Sequence, residues 1–235
     1  MIHFVDYVGV YEDAFGIVEI IIRNNFEKFS LKIDGIEFEG TDFDALEIID
    51  KQLYSNEQIK RFTLCQTAIC DTNEFVEEIC NCTFDIIIPQ LIICQKSREQ
   101  CVINMNFKYV LGDKKPIALG GGIEFEKIQV SFKISDKLFE SEGDLVEDIF
   151  DSITSQFNGE YNLKNCFGCL YSDYSVYGQS ALGSMMCFVR QGREYLEVQN
   201  KLDYMRNLTD DYDVVQEIFC CNKFEIRRKG TGYRG

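Results

Sequence analysis

The chain has 235 residues and a formal net charge of −15, which lies almost entirely in its first two thirds: residues 1–158 hold 29 Asp/Glu and 14 Lys/Arg, and residues 159–235 hold 10 of each. Such an acidic region repels nucleic acid and anionic lipid and attracts basic partners. A single histidine, His3, leaves a Ser-His-Asp or Cys-His hydrolase without a well-placed imidazole.

A hydrophobic fraction of 46% supports a packed core, and 19 Phe with 12 Tyr make that core aromatic. Two prolines and no low-complexity tract argue against disorder. The apolar runs Ile86-Ile87-Ile88 and Leu91-Ile92-Ile93-Cys94 fall far short of the roughly 20 residues of a membrane span. Met1-Ile2-His3-Phe4-Val5 has no basic start and no long apolar stretch, so no signal peptide is expected. The expected location is the cytoplasm, with mostly reduced thiols.

In chain order, residues 16–23 predict the first strand. Phe29, Leu31 and Ile33 alternate with polar residues, as do Ile36 and Phe38 after Asp34-Gly35. Asp-Gly between alternating runs predicts a two-residue hairpin. Thr41 with Asp44 is expected to open a helix through Leu46, Ile49 and Leu53. Residues 82–94 are nearly all apolar and read as a strand buried on both faces, with Pro89 at a bulge or edge. Residues 101–111 and 123–135 predict further strands around a turn at Gly112–Pro116. Ser141 with Asp144 is expected to open a second helix, with Leu145, Val146, Ile149, Phe150, Ile153 and Phe157 on one face. Val214 to Arg228 read as a closing strand. The fold class is therefore α+β and β-rich, with largely antiparallel sheet and two or more helices. A composition change near Phe157–Glu160 separates an acidic β-rich region, 1–158, from a Cys/Tyr/Gly-rich region, 159–235, the two expected to pack as one unit.

Few motifs carry chemistry. Gly120-Gly121-Gly122 lacks the Gly-Lys-Ser/Thr of a phosphate loop and reads as a turn. The basic tail Lys223–Gly235 reads first as an arm that pairs with the chain's own acidic region. The polar face of the second helix carries Asp144, Glu147, Asp148 and Asp151. These form either a solvated surface or a row of carboxylates that meets Lys/Arg groups of a basic protein. Cys166-Phe167-Gly168-Cys169 has the C-x2-C spacing of a zinc knuckle. Cys187 and either Cys220 or Cys221 would complete a structural zinc site, and buried thiols are the alternative reading. No other cofactor and no catalytic residue is expected.

The run Cys166-Phe-Gly-Cys169-Leu-Tyr-Ser-Asp-Tyr-Ser-Val-Tyr-Gly178, then Gly183-x-x-x-Cys187-Phe, Glu217-x-x-Cys220 and the closing Gly230–Gly235, resembles an uncharacterised family of cytoplasmic bacterial proteins. These are similar to immunity proteins of polymorphic toxin systems. The resemblance covers about the last 75 residues. It implies an acidic, soluble, non-enzymatic protein that binds a toxin domain and occludes its active site. The alternatives kept beside it are a zinc-stabilised interaction module and an enzyme that works through carboxylates.

Overall fold

The computed structural model describes residues 4–69, 74–175 and 182–232. The chain divides into two units: Met1–Ile88 with Met105–Ser131 and Glu142–Asp144, and Pro89–Asn104 with Phe132–Ser141 and Leu145–Gly235. Strand pairing among the described residues is mostly antiparallel. The fold is thus β-rich α+β, as the alternation predicts. No helix among the described residues is long and apolar enough to cross a membrane.

The first unit begins with a meander of β1 (Val5–Asp13), β2 (Gly16–Asn24), β3 (Phe29–Ile33), β4 (Ile36–Gly40) and β5 (Glu47–Ile48). The Asp34-Gly35 hairpin forms as expected. Both residues have positive φ, 48° and 88°, which matches the twist of the flanking strands. After a short helix, α1 (Asn56–Ile59), come β6 (Thr63–Ala68) and β7 (Phe75–Cys80). The unit also takes the larger part of β8 (Cys82–Cys94), β9 (Gln100–Leu111) and β10 (Glu126–Ile134). Its strand order is β10-β9-β8-β1-β2-β3-β4-β5-β7-β6. At the far end, the Gly122 N–H donates to Gln66 O of β6 at 2.8 Å, so the β9–β10 connection meets the last strand and the sheet curls on itself. Gly121 makes this approach possible. Its φ is +70°, and a Cβ there would lie 2.1 Å from the Gln66 carbonyl oxygen.

The helix expected from Thr41 to Leu53 does not form. The segment makes turns, the short β5 and a 3-10 turn at Lys51–Leu53. Its backbone groups are committed across the sheet: Ile79 N–H donates to Leu46 O and Ile49 N–H to Glu37 O, both at 2.9 Å. An α-helix would need those groups for its own ladder. Phe43 and Leu46 are fully buried instead. The Phe43 ring lies 4.8 Å from Phe29, 5.3 Å from Phe84 and 4.6 Å from Tyr109, closing the aromatic core. The strand at 82–94 is not buried on both faces. Phe84, Ile86 and Ile88 are buried while Ile87 and Pro89 are exposed, so this strand has one core face and one outward face.

The second unit contains β11 (Lys137–Gly143) up to Ser141, α2 (Val146–Phe157) and β12 (Tyr161–Leu163), which pairs with β8 from Cys94 to Ile92. The expected capping by Ser141 and Asp144 is absent. Ser141 belongs to β11, and Leu145 caps α2 with no side-chain hydrogen bond. The apolar face of α2 is as read: Val146, Ile149, Phe150, Ile153 and Phe157 are buried. Phe157 packs edge-on to Phe139, and Phe150 edge-on to Phe167. A separate sheet joins β13 (Ser172–Tyr174), β14 (Met185–Cys187) and, following helices α3 (Gly192–Leu196) and α4 (Lys201–Asn207), β15 (Asp213–Val215). The closing strand expected over 214–228 stops at Val215. Beyond it, single hydrogen bonds join the chain to the Cys166–Leu170 turn: Cys166 N–H to Phe219 O, Phe167 N–H to Glu217 O, Leu170 N–H to Glu225 O and Arg227 N–H to Gly168 O. A turn cannot serve as a continuous ladder partner, so the segment follows its contour.

Candidate functional site

The outward face of the first unit's sheet carries an ordered pattern. On β1, Tyr7 and Tyr11 point into the core, so Asp6, Val8, Val10 and Glu12 point out. Register places Val8 opposite Ile21 of β2 on one side and Ile87 of β8 on the other. These three form an apolar row, exposed by 58%, 61% and 42% respectively. The next outward row is Asp85, Val10 and Glu19, and the one beyond is Thr83, Glu12 and Ile17. Asp6 and Arg23 pair at 3.0 Å on the other side of the apolar row. A shallow depression of about 730 Å³ runs over Val8, Val10, Glu19, Ile21, Asp85 and Ile87. Exposed β-branched side chains beside carboxylates give a surface that gains by losing water to an apolar, positively charged counterpart.

Sequence reading passed over this row. The signal was Ile20-Ile21-Ile22. In a strand, successive side chains alternate in direction, and Ile20 and Ile22 are both buried, so Ile21 must face outward.

Three of the four carboxylates, Glu147, Asp148 and Asp151, lie on α2. Asp144 is exposed and precedes α2, within the Glu142–Asp144 segment of the first unit. Asp148 and Asp151 are exposed on α2, three residues apart on one face, and Glu147 is half-buried. Asp151 lines a cleft of about 560 Å³ together with Asn162, Arg228 and Lys229, so basic groups of this chain already neighbour it. The basic tail makes pairs within its own region: Arg227 with Asp173 at 3.2 Å and Arg228 with Glu225 at 4.0 Å. These ion pairs of the described part of the tail lie within 159–235, while Arg228 and Lys229 share a cleft with Asp151 of the acidic region.

The ten described cysteines are free thiols; Cys70 and His3 lie outside the described residues. Cys166 and Cys169 form the tight turn read from their spacing, with the Cys169 N–H donating to Cys166 O at 3.1 Å. Both are buried, as is Cys187 on β14, while Cys220 and Cys221 are half-buried. Burial is the main cause that pushes the Cys166 and Cys187 thiols up, and the charges of Cys169 and Cys221 act in the same direction.

Among the described residues, one group of three metal-capable side chains has its ligand atoms within 4.8 Å: Asp42, Asp44 and Glu126 of the first unit. Burial, then the charges of Asp44 and Asp144, push the Glu126 carboxyl up to about 8. Burial also raises Asp44. A proton on Glu126 relieves the like-charge crowding at neutral pH. In the second unit, burial pushes the wholly enclosed Glu217 up to about 7, while the Gly183 N–H donates to it at 2.6 Å.

Fold and surface together define a β-rich α+β protein with an apolar and acidic sheet face. Residues 5–172 match the profile of a "Family of unknown function (DUF6304)", which spans most of the chain, and the chain belongs to that family. No curated protein and no solved structure matches it. The matched span ends at Ser172, so most of the stretch that resembles immunity proteins lies beyond it, and the match links the family neither to them nor to bacteria.

Proposed function

We propose that the chain is a non-enzymatic binding protein whose partner is a basic protein domain. The observation that carries this reading is the exposed Val8–Ile21–Ile87 row flanked by Asp85, Glu19 and Glu12. Apolar anchors at the centre of an interface supply most of the affinity, and surrounding charge selects the partner and speeds encounter. The excess of carboxylates over residues 1–158 favours a basic partner in the same sense. A basic toxin domain, occluded at its active site, is the specific partner that this reading carries forward.

The test starts from a partner captured from the native host on the immobilised chain. Its affinity is then measured against the wild type and a Val8→Ser, Ile21→Ser double variant. A basic partner that loses at least tenfold in affinity for the variant supports the proposal. An acidic partner, or equal affinity for both proteins, overturns it. Concentration-dependent self-association abolished by the same variant would instead assign the face to a second copy of this chain.

A further inference from the structure

The cleft of about 560 Å³ in the second unit is lined by three consecutive cations, Arg227, Arg228 and Lys229, against one carboxylate, Asp151 of α2. That balance is the reverse of the chain's net charge of −15. The segment that carries the cations is fixed from behind. Ile226 bridges to Cys169, and the Arg227 N–H donates to Gly168 O at 2.9 Å. The two terminal nitrogens of Arg227 are committed to Asp173, the Tyr195 hydroxyl, Ser172 O and Thr231 O. Its Nε–H is buried and meets no acceptor among the described residues. The Nδ2 group of Asn162, on β12 and in the same lining, is likewise buried without an acceptor among them. Buried donors of this kind are costly, and native folds hold few. Two in the lining of one cleft call for an acceptor-rich ligand. Arg228 reaches only Glu225, at 4.0 Å with both side chains mostly exposed, and Lys229 makes no ion pair among the described residues. Both cations therefore keep their charge for a ligand.

We propose that this cleft binds a small phosphate monoester, its phosphoryl group on Arg228, Lys229 and the donors of Arg227 and Asn162, and its organic body against Phe167 and Ile226. A phosphoryl group carries close to two negative charges at neutral pH and offers three strong acceptor oxygens. It therefore matches two cations and two waiting donors, where a carboxylate brings a single charge. Arginine can take such a group through two parallel N–H bonds, and lysine adds a point charge. The cleft has the volume of a small-molecule site, larger than a bare phosphate needs. Phe167 is buried and Ile226 half-buried in its lining, and they give the body of the ester an apolar surface. Asp151 sits on the rim, where its carboxylate can accept from hydroxyl groups of that body. A long polyanion would meet the acidic surface of the rest of the chain, so the charge distribution favours a small ligand over nucleic acid. The site lies in the second unit and is independent of the sheet face assigned to a protein partner.

Titration calorimetry of the full chain with AMP, glucose 6-phosphate and inorganic phosphate tests this. At least one ester should bind at least tenfold more tightly than inorganic phosphate and than its own dephosphorylated form, adenosine or glucose. An Arg228→Ala, Lys229→Ala double variant should lose at least tenfold in affinity for that ester. Both side chains are exposed, so the variant should keep its fold. Asn162→Asp, which sets a carboxylate where a donor stands, should weaken binding to a similar extent. Should that variant fail to fold, the double variant alone decides. The proposal is overturned if none of the three probes binds at millimolar concentration, or if the double variant binds as tightly as wild type. Equal affinity for both esters and inorganic phosphate would also overturn it, because the cleft would then hold an anion and no organic body.

Discussion

Arg227 and Asp173 meet at 3.2 Å, and the Asp173 side chain has no exposure to solvent at all. The same carboxylate oxygen accepts the Tyr195 hydroxyl at 2.8 Å, and the guanidinium also donates to Ser172 O at 3.1 Å and Thr231 O at 3.0 Å. One arginine thus ties β13, α3 and the closing segment together. Its fork supplies several donors in fixed geometry, which a lysine cannot do.

Removing one partner of a buried pair leaves the other charged and without compensation. Arg227→Ala should therefore cost about 3–5 kcal/mol, and Arg227→Lys should recover little of it. Urea unfolding of the two variants and the wild type gives the comparison. A loss below about 1 kcal/mol for the alanine variant would mean that water replaces the guanidinium there.

Glu126 predicts a pH dependence. Its folded carboxyl titrates near 8, well above the ordinary value of about 4.3. Between those values the folded state keeps a proton that the unfolded chain has lost, so this group's contribution to stability falls as pH rises through the window and levels off above it. Glu126→Gln keeps the shape of the protonated group and removes the titration. The variant should gain on the order of 1–2 kcal/mol relative to wild type at about pH 9, with little difference at about pH 4. Urea midpoints measured at both pH values decide this, and parallel behaviour of the two proteins would show that the acid cluster relaxes on ionisation.

The contrast between what was legible and what was not has a physical cause. Asp34-Gly35 was readable because two residues with positive φ decide a hairpin locally. The apolar face of α2 was readable because five buried side chains recur at helical spacing. Thr41–Leu53 misled because Phe43 and Leu46 serve a core built from β3, β8 and β9, and no local pattern records those distant partners. The outward row was half legible: alternation turns Ile21 outward, but only the β1–β2 and β1–β8 registers line it up with Val8 and Ile87.

That row predicts a separation of stability from binding. Val8 and Ile21 are more than half exposed, so the double serine variant should stay within about 0.5 kcal/mol of wild type in urea unfolding, apart from a small loss of strand propensity. Its affinity for the captured partner should still fall at least tenfold. A variant that unfolds early would assign the row to folding and remove it as a docking surface.

The last expectation concerns steering by charge. Asp148 is exposed on α2, and Asp151, three residues on, lies in a cleft with Arg228 and Lys229. Asp148→Lys should slow association with a basic partner by a few-fold and leave dissociation nearly unchanged, because exposed charge acts mainly on encounter. The wild-type association rate should itself fall with added salt, since screening at physiological strength acts over about 8 Å. Asp151→Lys differs in kind. It sets a third cation beside Arg228 and Lys229, so it should lower stability modestly as well as slow association. Stopped-flow association at two salt concentrations, with urea unfolding of each variant, distinguishes the two positions. An association rate indifferent both to salt and to Asp148→Lys would leave the helix carboxylates as a solvated face and confine binding to the sheet.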